Sequence, residues 1–473
     1  QKMAGNHLHA VVLPWSAFGH MLPFFHLSIG LARAGVHVSY VSTPRNIERL
    51  PKVPQHLSSL MNLVALPLPK LDDESLLPEG AEATVDIPFE KYQNLKAAYD
   101  LLQHPFKKFI ADQCPDWIII DVMPHWVVEI AQEHSVPFMF FTVFTAATDA
   151  FLGPPEYLSG EGRARVRPSP ESLMSPPEWF DFPSCVAFKK FEAINNFPAL
   201  FIRPDGFEIS EAERIGKILK ECQALAIRAC NEYESNYLDL LRKILGKPVI
   251  PAGLLPPEKS EGKGKIDGSW RQTFQWLDEQ KPKSVVFVGF GSEVKLTREE
   301  TYEMACGLEL SEVPFLWVLR KPEWAKDEID ALPPGFCERT NGKGVVSIGW
   351  GPQMEILAHP SIGGCLFHCG WSTVIEALQF GHCLVGLPFV IDQGLNARWL
   401  VEKGLGVEID RGEDGSFSRV DIAKALRVAL MLEEGEGLRA SAREAAAIFG
   451  DMKLHQDCYI RGLVDYLKNG LNK

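Results

Sequence analysis

Residues 9–42 read HAVVLPWSAFGHMLPFFHLSIGLARAGVHVSYVS, and the change of period inside this stretch decides the fold. His9–Leu13 is a short apolar run of the kind a buried strand uses. Pro14 to His20 interrupts it as a loop, after which Leu22, Phe25 and Ile29 share one helical face until Gly35 stops the pattern. Val36, Val38 and Tyr40 then alternate with His37, Ser39 and Val41 as a second strand, and Trp117–Ile120 forms a third buried run ending at Asp121. Strand, loop, helix and strand in this order predict a doubly wound parallel sheet with helices on both faces.

The same grammar restarts downstream. From Gly246 to Lys283 the chain is rich in Pro, Gly and Lys, including Pro256, Pro257, Gly262, Gly264 and Pro282, which reads as a linker. Beyond it Ser284–Val288 is a new apolar strand, Thr297-Arg-Glu-Glu300 opens a helix as a capping box, and Phe315–Leu319 is the next strand. A chain of 473 residues exceeds what one core usually supports. The expected division is an α/β unit over 1–250, a linker over 251–283 and a second α/β unit from 284. Ligands of such sheets sit at the carboxyl ends of the strands, so the loops after strands are where chemistry is expected. Residues 151–200, rich in Pro and aromatics without clear period, are expected to form an irregular insertion beside the cleft.

Bulk composition narrows the function classes. Lys+Arg of 48 against Asp+Glu of 61 gives a formal charge of -13, which repels nucleic acid and anionic lipid. The ten cysteines are dispersed rather than arranged as a secreted disulfide framework, which predicts a reducing cytosol and a cytoplasmic protein; a monomer is expected as a separate reading. Cys365 and Cys369 are close, with His368 beside them, but no second ligand cluster completes a metal set, so a structural role and no metal are expected. No basic region followed by a long apolar one opens the chain, where Gln1-Lys2 precede Met3, and no stretch is apolar enough to suggest a membrane span.

The densest chemistry lies between Trp350 and Gln393: Trp350-Gly-Pro-Gln353, His368-Cys-Gly-Trp-Ser-Thr373, Glu376 and Asp392-Gln393. His368 and Gly370 stand between an apolar run, Gly364–Phe367, and a helical stretch, Val374–Phe380. A helix N-terminus there offers unpaired N–H groups and a positive dipole end to an anion, with Ser372 and Thr373 adding hydroxyls. The competing reading of Thr373-Val-Ile-Glu376 is a plain capping box that needs no ligand.

Over its 44 positions this stretch resembles the signature box of plant UDP-dependent glycosyltransferases, and the likeness extends over essentially the whole chain. The resemblance implies a GT-B fold, two Rossmann-like domains facing a cleft, with the first binding the acceptor, the second binding a UDP-sugar over 284–455, and residues 456–473 packing back on the first. It implies that Trp350 stacks on uracil, that Gln353 and Glu376 hold the ribose, and that His368, Ser372 and Thr373 face the phosphates near Gly370. Trp371, Asp392 and Gln393 would bind the sugar, and Ser292, in Val288-Gly-Phe-Gly-Ser292, would lie against the diphosphate. His20 would be the catalytic base and Asp121 its orienting carboxylate, where the residues alone leave helix capping from Val122 onward as an equal alternative for Asp121. His125, Trp126, Phe144 and Thr145 are candidates for the acceptor cleft. The family commonly has Ala, Asn, Ser and Pro where this chain has Gly351, Ser372, Thr373 and Cys383, and Ser372 is the change expected to weaken a donor contact.

In the family that the chain resembles a terminal Gln in this box accompanies glucose, its amide both donating to and accepting from neighbouring sugar hydroxyls, so the resemblance implies that Gln393 favours UDP-glucose. Leu77-Pro-Glu-Gly-Ala-Glu-Ala-Thr84, Gly253-Leu-Leu-Pro-Pro-Glu258 and Leu319-Arg-Lys-Pro322 resemble the plant branch that extends sugars on terpenoid or flavonoid glycosides. The expected activity is therefore inverting, metal-independent transfer of glucose from UDP-glucose to a hydroxyl of such a glycoside, with no resident cofactor. A nicotinamide oxidoreductase is disfavoured because Pro14–His20 holds one glycine, and an α/β-hydrolase because Val374 stands where a nucleophile elbow needs Gly. A UDP-sugar-binding protein without activity would be expected to lack the base, yet His20 and Asp121 are present.

Overall fold

The computed structural model describes residues 8–160, 167–258, 268–291, 294–328 and 330–470. Apolar runs of three to six residues form thirteen strands in two parallel sheets. The first sheet contains β1 (His9–Leu13), β2 (His37–Ser42), β3 (Met61–Ala65), β4 (Trp117–Ile120), β5 (Phe138–Thr142), β6 (Ala224–Ile227) and β7 (Val249–Pro251), in the order β3-β2-β1-β4-β5-β6-β7. The second contains β8 (Val285–Val288), β9 (Phe315–Leu319), β10 (Gly344–Ile348), β11 (Ile362–Phe367), β12 (Cys383–Gly386) and β13 (Gly406–Glu408), in the order β10-β9-β8-β11-β12-β13. All pairings are parallel. This is the GT-B architecture.

Strand order reverses once in each sheet. In the first, β1 pairs with β4, Leu13 opposite Ile120, while the chain runs outward on either side. In the second, β8 pairs with β11, Val288 opposite Leu366. Loops leaving adjacent strands at such a reversal diverge and open a crevice. His20 lies just beyond β1 in the first turn of α1 (Phe18–Arg33), and Asp121 directly follows β4. Gly291 follows β8 and His368 follows β11 in the same relation. The topology thus delivers the candidate residues in two pairs.

Past β5, α2 (Ala146–Leu152) begins under a Thr145 cap whose hydroxyl accepts from Thr148 N. Within the expected insertion over 151–200, of which 161–166 lie outside the described residues, Pro155–Ser159 is a short helix and Lys190–Phe201 forms α3. Pro198 inside α3 and phenylalanines off any single face hide its period, whereas Glu192 closes its start by accepting from Lys189 N at 2.8 Å. α3 docks on the second domain. Glu192 pairs with Arg398, itself bonded to Glu408 at 3.0 Å, and Arg411 covers the Phe191 ring at 4.6 Å. Part of the expected linker is also helical, at Arg271–Asp278, while residues 259–267 lie outside the described residues.

In the second domain α4 (Trp371–Leu378) follows β11 and α5 (Gln393–Glu402) follows β12. The chain then returns to the first sheet through a π-helical segment, His455–Ile460, and α6 (Arg461–Gly470). Ile460, Leu463, Val464 and Leu467 join Ala10, Val12 and Phe24 in one core, and Trp117 Nε1 donates to Leu467 O at 2.9 Å. A Cβ on Gly30 would stand 3.1 Å from the Ile460 side chain, so α1 and the returning segment cross closely there. Among the described residues no helix is long and apolar enough to cross a membrane.

Candidate active site

The loop after β1 is pinned by one carboxylate. Asp121, fully buried, accepts from Trp15 N at 2.8 Å and from His20 Nδ1 at 2.8 Å through Oδ2, and from Val122 N at 2.7 Å through Oδ1. The next helix starts at Val127, so Asp121 does not cap it. An ionised carboxylate only accepts, so Nδ1 of His20 carries the proton and Nε2 keeps its lone pair. The His20 side chain retains 16% exposure and meets the Phe144 ring edge-on at 5.7 Å. These are the properties of a general base with a fixed tautomer.

Of the other acceptor-cleft candidates, Trp126 is turned away: it is buried in the core and its Nε1 donates to Asp100 at 3.2 Å. His125 Nδ1 is engaged by Arg214 at 2.9 Å, and burial together with that guanidinium lowers its pKa. Thr145 is buried and reaches across the domain boundary, Oγ1 donating to Asn396 Oδ1 at 3.2 Å.

On the facing domain the first turn of α4 presents the N–H groups of Trp371, Ser372 and Thr373, which have no acceptor within the helix. Its N-cap is Gly370, with no side-chain cap bond, so the capping-box reading of Thr373 and Glu376 falls. Glu376 instead accepts from Gln353 Nε2 at 2.6 Å, joining two residues 23 positions apart. Burial raises the Glu376 pKa, opposed by the Gln353 bond and by Arg228. The His368 ring fits only because its neighbours lack side chains: a Cβ on Gly370 would lie 2.6 Å from Nε2, and one on Gly291 3.0 Å from Cε1. Burial pushes the His368 pKa down to about 4, so the imidazole is neutral at pH 7, and among the described residues its Nδ1 is buried without a partner. Trp350 is 77% exposed, with the Arg320 guanidinium 5.3 Å from its ring centre. A large exposed indole is a ready stacking platform. Ser292 lies outside the described residues.

The sugar-side candidates divide. Trp371 buries its indole at the domain boundary, Nε1 donating to Arg228 O at 2.9 Å, so only its backbone remains at the helix mouth. Gln393 Oε1 accepts from Phe389 N at 2.9 Å and from Val390 N at 3.0 Å, which leaves its amide hydrogens, not its oxygen, for a hydroxyl. Asp392 is held by Asn396 Nδ2 at 2.7 Å, and burial raises its pKa, opposed by that bond. Ile391, just before this pair, has φ 52, a left-handed conformation that a β-branched residue rarely adopts.

Comparison with known proteins agrees with this geometry. The family model described as UDP-glucoronosyl and UDP-glucosyl transferase matches residues 271–434. UDP-glycosyltransferase 91A1 of Arabidopsis thaliana is 42% identical over 467 residues, spanning 98% of this chain and 97% of that protein. The chain belongs to the UDP-glycosyltransferase family. Soyasaponin III rhamnosyltransferase of Glycine max is 39% identical, spanning 98% of this glycosyltransferase and 95% of its relative. The fold is shared with Glycyrrhiza uralensis UGT73P12, solved with glycyrrhetinic acid 3-O-monoglucuronide, at a TM-score of 0.79 and 22% identity over 98% of this chain and 96% of that one.

The structure of this glycosyltransferase adds residues that the sequence did not single out. Asn396 has no exposed surface and uses its whole amide, donating to Asp392 and Cys369 O and accepting from Thr145 and Thr148. It stands one helical turn after Asp392, which is the only signal the sequence offered. Arg228, just past β6, donates to Ser372 Oγ at 2.7 Å from the other domain. Its separation of 144 positions from Ser372 left no local signal at all.

Proposed function

We propose that this enzyme transfers glucose from UDP-glucose, with inversion, to a hydroxyl of a small plant glycoside. What supports the reading is the carboxylate-held imidazole of His20, bonded to Asp121 at 2.8 Å and near enough to Asp392 of the nucleotide-side domain to act on it electrostatically. Uracil stacks on Trp350, the ribose hydroxyls bond to Gln353 and Glu376, and the diphosphate meets His368, Thr373 and the first turn of α4. His368 is a neutral donor there, which suits an anion without adding a competing titration at pH 7.

In the transfer step His20 Nε2 takes the acceptor hydroxyl proton while the acceptor oxygen attacks the anomeric carbon. The bond from that carbon to the diphosphate oxygen breaks, and its electron pair leaves with UDP. Asp121 stabilises the imidazolium formed. Donor hydrogen bonds and the dipole of α4 receive the developing charge on UDP, a role that protein groups fill here without calling on a metal ion. Attack from the face opposite the leaving group inverts the anomeric centre.

Gln393 supports glucose through its amide hydrogens, and the resemblance of Leu77–Thr84, Gly253–Glu258 and Leu319–Pro322 to the branch that extends glycosides supports a sugar acceptor. The soybean relative, named for rhamnosyl transfer to soyasaponin III, makes UDP-rhamnose the donor to test against. A mass-spectrometric panel of UDP-glucose, UDP-rhamnose, UDP-xylose and UDP-galactose, each with flavonoid and terpenoid glycosides and their aglycones, decides both points. UDP-glucose with a glycoside should give the fastest product. Faster turnover with UDP-rhamnose would overturn the donor, and consumption of aglycones alone would overturn the acceptor.

A further inference from the structure

The donor box, residues 350–393, contains Glu355, Glu376 and Asp392 but no Lys or Arg. His368 is neutral, so it adds no charge. A helix N-terminus contributes only about half an elementary charge. A diphosphate would therefore meet a segment of net negative charge unless a cation came from elsewhere.

The cation that touches this helix comes from the first domain. Arg228 follows β6 and is 2% exposed. Its Nε donates to Leu254 O at 2.8 Å, its Nη2 to Leu255 O at 3.3 Å, and its Nη1 to Ser372 Oγ at 2.7 Å. Among the described residues those partners are two carbonyls and one hydroxyl, all neutral. Glu376, one turn below Ser372 on α4, acts on Arg228 only at longer range. Burial pushes the guanidinium pKa down to about 10, so it stays charged at neutral pH. A buried cation without a contacting anion is costly, and such a group is commonly retained where a ligand supplies the missing charge.

We propose that Arg228 is a positioning residue of the donor site, holding Ser372 and the first turn of α4 from across the domain boundary and supplying the positive charge that a diphosphate requires. Because Nη1 occupies a lone pair of Ser372 Oγ, the hydroxyl hydrogen is left to donate to another acceptor. Ser372 is shorter than the Asn common in the family, and Arg228 restores a polar reach that a lone serine lacks. The same guanidinium fixes Leu254 and Leu255 at the entry to the interdomain connection, where Leu255 has φ 51. The inference rests on the proposed UDP-sugar reading.

The test compares UDP with uridine, which shares the base and ribose but lacks phosphates, by titration calorimetry or ligand-observed NMR on the full chain. Arg228→Met should weaken UDP by about tenfold or more, the size of a lost charge-assisted contact, while uridine stays within about twofold. Arg228→Lys, which keeps the charge but not the fork, should recover part of the UDP affinity. Ser372→Ala, a milder change that leaves the arginine in place, should narrow the UDP-to-uridine ratio in the same direction. An unchanged ratio in either Arg228→Met or Ser372→Ala, or equal weakening of both ligands, overturns the proposal. Wild-type protein that binds neither UDP nor uridine would instead sink the proposed function itself.

Discussion

The two faces of the cleft are prepared in opposite ways. On the first domain Asp121 accepts three N–H groups, among them His20 Nδ1, and so holds the imidazole in place. On the second domain, among the described residues, His368 Nδ1 is buried without a partner, the first-turn amides of α4 lack helical acceptors, and the Trp350 ring stands in solvent. Chemistry benefits from groups that need no reorganisation at the moment of reaction, whereas affinity benefits from groups whose bonds are made only with the ligand. The first face has already made its bonds, whereas the second keeps polar groups open among the described residues.

That contrast breaks most visibly at His20. His20→Ala should cut turnover about 10²–10⁴-fold, the usual contribution of a positioned base, with UDP affinity nearly unchanged. Near-normal turnover in single-turnover assays would remove His20 from the mechanism. Asp121→Asn should also lose turnover, and the double variant should be little worse than His20→Ala alone if both serve one proton transfer. The structure sharpens this expectation. An amide has one accepting oxygen where Asp121 uses two, so the Asn variant must turn an NH₂ toward at least one N–H donor. Its melting temperature should fall together with its rate.

Trp350→Ala tests the opposite face. Stacking on a base is worth about 1–3 kcal/mol, so the Kd for UDP and the KM for UDP-sugar should rise about 5- to 150-fold with kcat little affected. Because the indole is largely exposed, stability should barely change. A fall in kcat with constant KM would place Trp350 in the chemistry instead.

The smallest effect concerns pH. Behind the catalytic loop, burial raises Asp149 to about 8, with Asp392 adding to the shift, and raises Glu234 to about 8. A carboxyl raised above its unfolded value stabilises the fold below about pH 4, and that contribution is lost as pH climbs toward 8. Asp149→Asn should therefore flatten the decline in melting temperature between pH 5 and 8. The expected change in slope is at most about 1.4 kcal/mol per pH unit. An identical slope in variant and wild type would show that Asp149 is ionised in the folded protein.

Local pattern made much of this protein legible. The strands around 9–42, 117–120 and 284–288 and the helix of α1 announced themselves because each is fixed by burial over a few consecutive residues. α3 did not, since its faces are set by Arg398 and Arg411 rather than by its own period. Likewise Trp126 was placed at the cleft by sequence neighbourhood and Trp371 by family resemblance, yet their indoles donate instead to Asp100 and to Arg228 O.

Sequence by itself determined two parallel α/β units and, by motif, membership of the family. Those follow from periodicity and from motif, which are properties of contiguous residues. Only the tertiary structure decided that His20 and Asp121, 101 positions apart, share one hydrogen bond, and that Asn396 and Arg228 tie each domain's site to the other. Such contacts arise where strand order reverses and where two domains close, and neither the reversal nor the closure is encoded in any short stretch of chain.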